Sequence, residues 1–186
     1  MSTTESELSE EVIRGCASGD RKCQKIVYEQ FYTRMYSVCL RYSNNKDEAL
    51  DLLHEGYMKV FRKVETFKGE SEFYPWIKRL FVNHCIDYTR SAYKRYISYV
   101  DEVVTDEAEE VPEVPGEQTD AAVNQQAVFA AMNALRPDYR IILNLYAVEN
   151  MSHAQIAQKL GIQESSSRSK LNRARNALKK TLKRNG

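Results

Sequence analysis

The side chains that follow Gln163 carry a chemistry of their own. Ser165, Ser166, Arg168, Ser169, Asn172 and Arg173 fall on one side of a helix of period 3.6, with Leu171, Ala174, Leu178 and Leu182 on the other. The paired donors of Arg match the acceptor edge of guanine and the amide of Asn matches adenine, while hydroxyls and further cations hold phosphates. A helix of that polarity fits the major groove of duplex DNA. A different chemistry is offered by Asp51-x-x-His54 and His84-x-x-Asp87, which put carboxylate and imidazole on two predicted helices in the manner of a two-metal bundle. Such a site needs further inward carboxylates from the remaining helices, and the preceding segments supply only Glu7, Glu10, Glu11 and Glu29. An enzyme is therefore the weaker reading, and no catalytic residue, metal or cofactor is expected.

Groove reading requires a supporting helix and a tight turn. Ser152-His153-Ala154-Gln155-Ile156-Ala157-Gln158-Lys159-Leu160-Gly161-Ile162 has the pattern of both. Ser152 and Gln155 are placed for a capping box. Ala157 lets two helices approach, Gly161 permits the positive φ that ends the first, and Ile162 plugs the turn into the core. The alternative is an ordinary helical hairpin with a basic exterior. Elsewhere apolar residues recur at spacings of three and four with no persistent strand-like alternation, and the 186 residues include only seven glycines. Helices are predicted near 7–17, 22–42, 46–67, 72–99, 122–134, 138–148, 153–160 and 164–183. Asn45 with Glu48 can cap the third and Ser71 the fourth. In the third, Ala49, Leu52, Leu53, Gly56, Tyr57, Val60 and Phe61 form an apolar stripe, leaving Asp47, Asp51, Glu55 and Lys59 together on another face.

Charge is segregated along the chain although the formal net charge is only +1. Residues 101–135 carry nine acids and no Lys or Arg, whereas 136–186 carry eleven basic residues against three acidic ones. The acidic stretch also holds Pro112, Pro115 and Gly116 and reads as a linker, and the basic end has the footprint of a polyanion binder or of a solvated basic tail. The expected fold is all-α: two small helical domains, 1–98 and 122–186, joined by a flexible acidic linker over 99–121, the second a helix-turn-helix domain. The four cysteines have no zinc-finger spacing and read as reduced thiols. No apolar run approaches a membrane span and the first residues carry no secretory signal, so a cytoplasmic protein without membrane insertion is expected.

Both halves resemble the sigma-70 family of bacterial RNA polymerase sigma factors, in its extracytoplasmic-function group. In the first half the resemblance rests on Gly19-Asp20, Phe31-Tyr32-Thr33-Arg34-Met35-Tyr36, Asp47 through Tyr57, Phe67-Lys68-Gly69, and Phe73-Tyr74-Pro75-Trp76-Ile77 with Asn83, Asp87-Tyr88 and Arg90. In the second it rests on Leu135-Arg136-Pro137-Asp138-Tyr139-Arg140, the helix-turn-helix, and Arg168 through Arg175.

The resemblance implies a specificity subunit that joins core RNA polymerase, finds promoter DNA and helps to open it, without being a catalyst. Asp51, Leu52, His54 and Glu55 would meet the clamp helices of the largest polymerase subunit. Lys68, Tyr74, Trp76, Lys78, Arg79, Asn83 and Arg90, followed by Tyr93, Lys94 and Arg95, would recognise and melt the minus-ten element, where unpaired bases stack on aromatic faces and cations hold the backbone. The Trp76 ring, at core spacing with Ile77 and Leu80, is expected to be structural. Ser165, Ser166, Arg168, Ser169, Asn172 and Arg173 would read the minus-thirty-five element, and an anti-sigma factor is an expected partner. The sequence departs from the family pattern at His54, usually Gln, at Pro75, and most at Ser167, which stands in place of an apolar anchor and is expected to delay or loosen the recognition helix. A stand-alone helix-turn-helix regulator and a helical adaptor without nucleic acid are the rival readings.

Overall fold

The computed structural model describes residues 8–69, 72–100 and 125–185, without the side chains of 92–100, 125–127 and 184–185. Its helices are α1 (Glu10–Ala17), α2 (Arg21–Tyr42), α3 (Lys46–Lys63), α4 (Phe73–Val100), α5 (Gln125–Asn133), α6 (Pro137–Ala147), α7 (His153–Leu160) and α8 (Glu164–Asn185). No strand occurs among the described residues. The chain divides into two compact units, residues 1–87 and 88–186, the division falling within α4. The predicted linker, the Ser71 cap and the side chains of Tyr93, Lys94 and Arg95 lie outside the described residues.

In the first unit α2, α3 and α4 supply the core. Val27, Phe31, Met35, Val38 and Tyr42 recur along α2 at helical spacing and are buried, as are Ala49, Leu52, Leu53 and Val60 of α3 and Ile77, Phe81 and Cys85 of α4. Gly56 is where α3 meets α4: a Cβ there would lie 2.3 Å from Cε1 of Phe81, so only glycine allows this approach. The α3 start is capped by Asn45, whose side chain accepts from the Glu48 N–H at 2.8 Å. Glu48 reaches back one residue further than the simple box requires, accepting from the Asn44 N–H at 2.8 Å. Thr66 Oγ1 donates to the Lys63 carbonyl at 2.7 Å, and the last predicted turn of α3 tightens into a 3₁₀ turn over Val64–Thr66.

The second unit packs Ala131 and Leu135 with Ile141, Ile142 and Leu145 of α6, Ile156 and Ala157 of α7, and Leu171 and Ala174 of α8. Pro137 stands at the first position of α6, where its missing N–H leaves no bond unmade. Arg140, 2 % exposed, donates from Nη2 to the carbonyls of Asn133 at 3.1 Å and Leu135 at 3.4 Å, closing the end of α5. At the start of α7, Ser152 Oγ accepts from the Gln155 N–H and Gln155 Oε1 from the Ser152 N–H, the predicted capping box. Gly161 ends the helix at φ 67°, and the Ile162 N–H donates to the Ala157 carbonyl at 3.1 Å.

Candidate functional site

On α3, Asp51, His54 and Glu55 are exposed, and Met58, 56 % exposed, joins them at i+3, i+4 and i+7. Leu52 does not belong to this face. It is 2 % exposed, because its position four residues before Gly56 puts it on the buried stripe that packs the core. Glu55 is directed at α4: its Oε2 lies 3.4 Å from Nε2 of His84, a ring buried between the helices, while Lys59 Nζ lies 2.7 Å from Nδ1 of the same ring. An ammonium only donates, so Nδ1 is the acceptor and the ring proton sits on Nε2. Burial and then the Lys59 charge hold the His84 pKa below its ordinary value. The ammonium occupies the approach to Nδ1 that a metal would need. No group of three metal-ligating side chains occurs among the described residues, so the two Asp/His pairs do not assemble into a bundle site.

Beyond α3, Lys68 is exposed in the connection to α4, beside Gly69 at φ 72°. Trp76 packs against Phe67 at 5.4 Å and Phe73 at 5.2 Å between ring centroids, which gives its half-buried ring the expected structural role. Trp76, Arg79 and Asn83 share a face of α4 at i, i+3 and i+7, and Arg90 is exposed further along the same helix. Tyr74 and Lys78, four apart, lie on the opposite side of α4. Tyr74 stacks on Phe31 at 6.2 Å and carries the Arg34 guanidinium 4.9 Å above its ring. The residues expected to meet unpaired DNA are thus divided between two faces, and Arg34 joins the second. Its separation of forty residues from Tyr74 gave no local signal in the sequence.

In α8, which begins at Glu164 without delay, all six predicted groove residues lie on the half of the helix turned from the core: Ser165, Arg168 and Ser169 exposed, Ser166, Asn172 and Arg173 partly so. Asn176, partly exposed at i+4 from Asn172 and i+7 from Ser169, extends this face and was missed, though helical spacing places it there. Arg168 pairs with Glu164 one turn earlier, and Ser169 Oγ donates to the Ser166 carbonyl at 3.2 Å. Lys170 leans the other way, donating to Oδ2 of the buried Asp138 at 2.8 Å, and Arg136 Nε donates to Oδ1 of the same carboxylate at 3.3 Å. Ser167 is fully buried and its Oγ lies 3.0 Å from Nδ1 of His153. The expected loosening is therefore countered by a polar link between α7 and α8. Tyr146 stacks on His153 at 5.0 Å, and the Arg175 guanidinium lies 5.2 Å from the Tyr146 ring centre. Burial and then Arg168 lower the His153 pKa.

Family comparison covers both units. The family model for sigma-70 region 2 matches residues 27–95, and that for sigma-70 region 4 matches residues 125–178. The chain is 24% identical over 165 residues to the ECF RNA polymerase sigma-E factor of Haemophilus influenzae, covering 84% of this chain and 86% of that one. It is 26% identical over 166 residues to the ECF RNA polymerase sigma-E factor of Escherichia coli, covering 86% of each. In fold it is similar to the sigma factor RpoE of Bartonella quintana, solved in complex with the anti-sigma factor NepR, at a TM-score of 0.53 and 24% identity over 86% of this chain and 96% of that one. Two matched regions in order, each with its own exposed polar face, distinguish the chain from a stand-alone helix-turn-helix regulator: it belongs to the sigma-70 family of RNA polymerase sigma factors, in the extracytoplasmic-function group.

Proposed function

We propose that the exposed face of α3 formed by Asp51, His54 and Glu55 binds the clamp helices of the largest subunit of core RNA polymerase. Lys68, Arg79, Asn83 and Arg90 then meet the minus-ten element beside the aromatic cluster of Trp76, and the outer face of α8, from Ser165 to Arg173, reads the minus-thirty-five element. Tyr74 and Lys78 meet the same minus-ten element from the other side of α4. The division of labour follows the predicted domains, 1–98 and 122–186. The protein supplies specificity and no catalysis, acts in the cytoplasm where polymerase is, and is held in check by an anti-sigma factor.

One observation carries this reading: an exposed acidic face and an exposed groove-reading face occur in the same chain, one in each unit, with apolar surfaces packed behind both. Carboxylates on one helix face repel one another mildly, and a basic partner relieves that repulsion. The test is co-purification with bacterial core RNA polymerase. The double variant Asp51→Lys, Glu55→Lys should co-purify far less than wild type while keeping the helical circular dichroism and cooperative unfolding of a folded domain, since both side chains are exposed. Equal recovery of variant and wild type would remove α3 from the polymerase interface.

A further inference from the structure

The environment of His84 on α4 bears on how the α3 face presents its charge. Glu55 and Lys59 are four residues apart on one helix, with Glu on the N-terminal side, the spacing and order that favour a surface ion pair. Such a pair would neutralise Glu55. In the fold, Lys59 turns to α4 instead: its Nζ lies 2.7 Å from Nδ1 of His84, and Glu55 Oε2 lies 3.4 Å from Nε2 on the far edge of the ring. The Glu55 side chain stays 67% exposed while the imidazole is only 4% exposed.

We propose that His84 is a positioning residue of the polymerase-binding face, which withdraws the Lys59 ammonium onto Nδ1 and so leaves the Glu55 carboxylate open to a basic partner. The inference rests on the assignment of α3 to core polymerase made above. The charged groups facing the ring are Lys59 and Glu55 from α3 and Asp87 from α4, with the Leu52 carbonyl also directed at it. A neutral ring is what the arrangement requires, because an imidazolium has no lone pair on Nδ1 and would expel Lys59. Burial, followed by the Lys59 charge, favours that neutral form.

The experiment measures the affinity of the full-length labelled chain for bacterial core RNA polymerase by fluorescence anisotropy. His84→Leu should weaken binding up to about fivefold, the size expected for muting one exposed charge. Adding Lys59→Gln to His84→Leu should restore it, because no ammonium is then left to cover Glu55. His84→Asn, whose Oδ1 can stand where Nδ1 stood and accept from Lys59, should bind like wild type. A second readout avoids altering the buried site: wild-type affinity should fall as pH is lowered below the ordinary range of histidine, and Lys59→Gln alone should flatten that fall. A loss in His84→Leu that Lys59→Gln does not restore, or a pH profile that Lys59→Gln leaves unchanged, overturns the proposal. Glu55→Gln serves as the control on the underlying assignment: if it binds as tightly as wild type, the α3 face itself is wrongly assigned, whereas a weaker Glu55→Gln with no rescue in the double variant overturns only the role of His84.

Discussion

Ser167 shows how one residue can be misjudged from its type alone. A hydroxyl at an apolar anchor position reads as a weakness in the helix-turn-helix, yet the fold buries it completely and sets it 3.0 Å from Nδ1 of His153. Nothing in the spacing of 153 and 167 announces that pairing, because it depends on the crossing of α7 over α8. Replacing Ser167 with Ala should destabilise the second unit by about 1 kcal/mol, the ordinary contribution of a single hydrogen bond, readable as faster amide exchange in α7 and α8. The pH dependence has a definite sign. His153 is depressed in the fold, first by burial and then by Arg168, so its contribution to stability is present above the unfolded pKa of about 6.5 and is lost as pH falls through the folded value. Exchange in α7 and α8 should therefore quicken as pH is lowered below about 6.5 after correction for intrinsic rates, and His153→Asn should remove that extra quickening. An identical profile in the variant would show that His153 carries no such linkage.

At the scale of elements, the helices were legible because period and punctuation agree. Asn45, Ser152 and Gly161 mark ends by chemistry that needs no distant partner: a side-chain acceptor for a free N–H, or a backbone that tolerates positive φ. What periodicity does not convey is the register between helices. Periodicity set Leu52 on the stripe that packs the core, where the fold has it; it was the family resemblance that joined Leu52 to Asp51, His54 and Glu55 and ran Trp76, Tyr74 and Lys78 together, although α4 turns them to different sides. The recognition helix was read more fully, since one amphipathic helix with Leu171 and Ala174 inward leaves a single outer face. On that face Arg173→Ala should relax base preference at one position of a minus-thirty-five duplex, by roughly 1 to 3 kcal/mol if the contact is bidentate. Lys179→Ala, an exposed cation further along α8, should instead weaken binding evenly across sequences. Binding to a set of single-base duplex variants separates the two, and a uniform loss for Arg173→Ala would make it a phosphate contact.

For the whole molecule, the charge pattern already separated an acidic stretch from a basic end, but charge alone fitted a solvated tail as well as a DNA-binding domain. Family resemblance at the motifs of both halves decided between them, and the matched regions at 27–95 and 125–178 agree with it. The acidic residues between 101 and 120 are read from composition alone. A specificity subunit has one property that neither a stand-alone regulator nor a helical adaptor shares: it acts on promoters only together with polymerase. The most direct measurement is therefore transcription from a library of genomic fragments, with bacterial core RNA polymerase alone, the protein alone, and the two combined. Discrete start sites sharing upstream sequence elements are expected only in the combination, and Asp51→Lys with Glu55→Lys should abolish them. A protein that protects a palindromic duplex by itself and adds no start site to core polymerase would contradict the account.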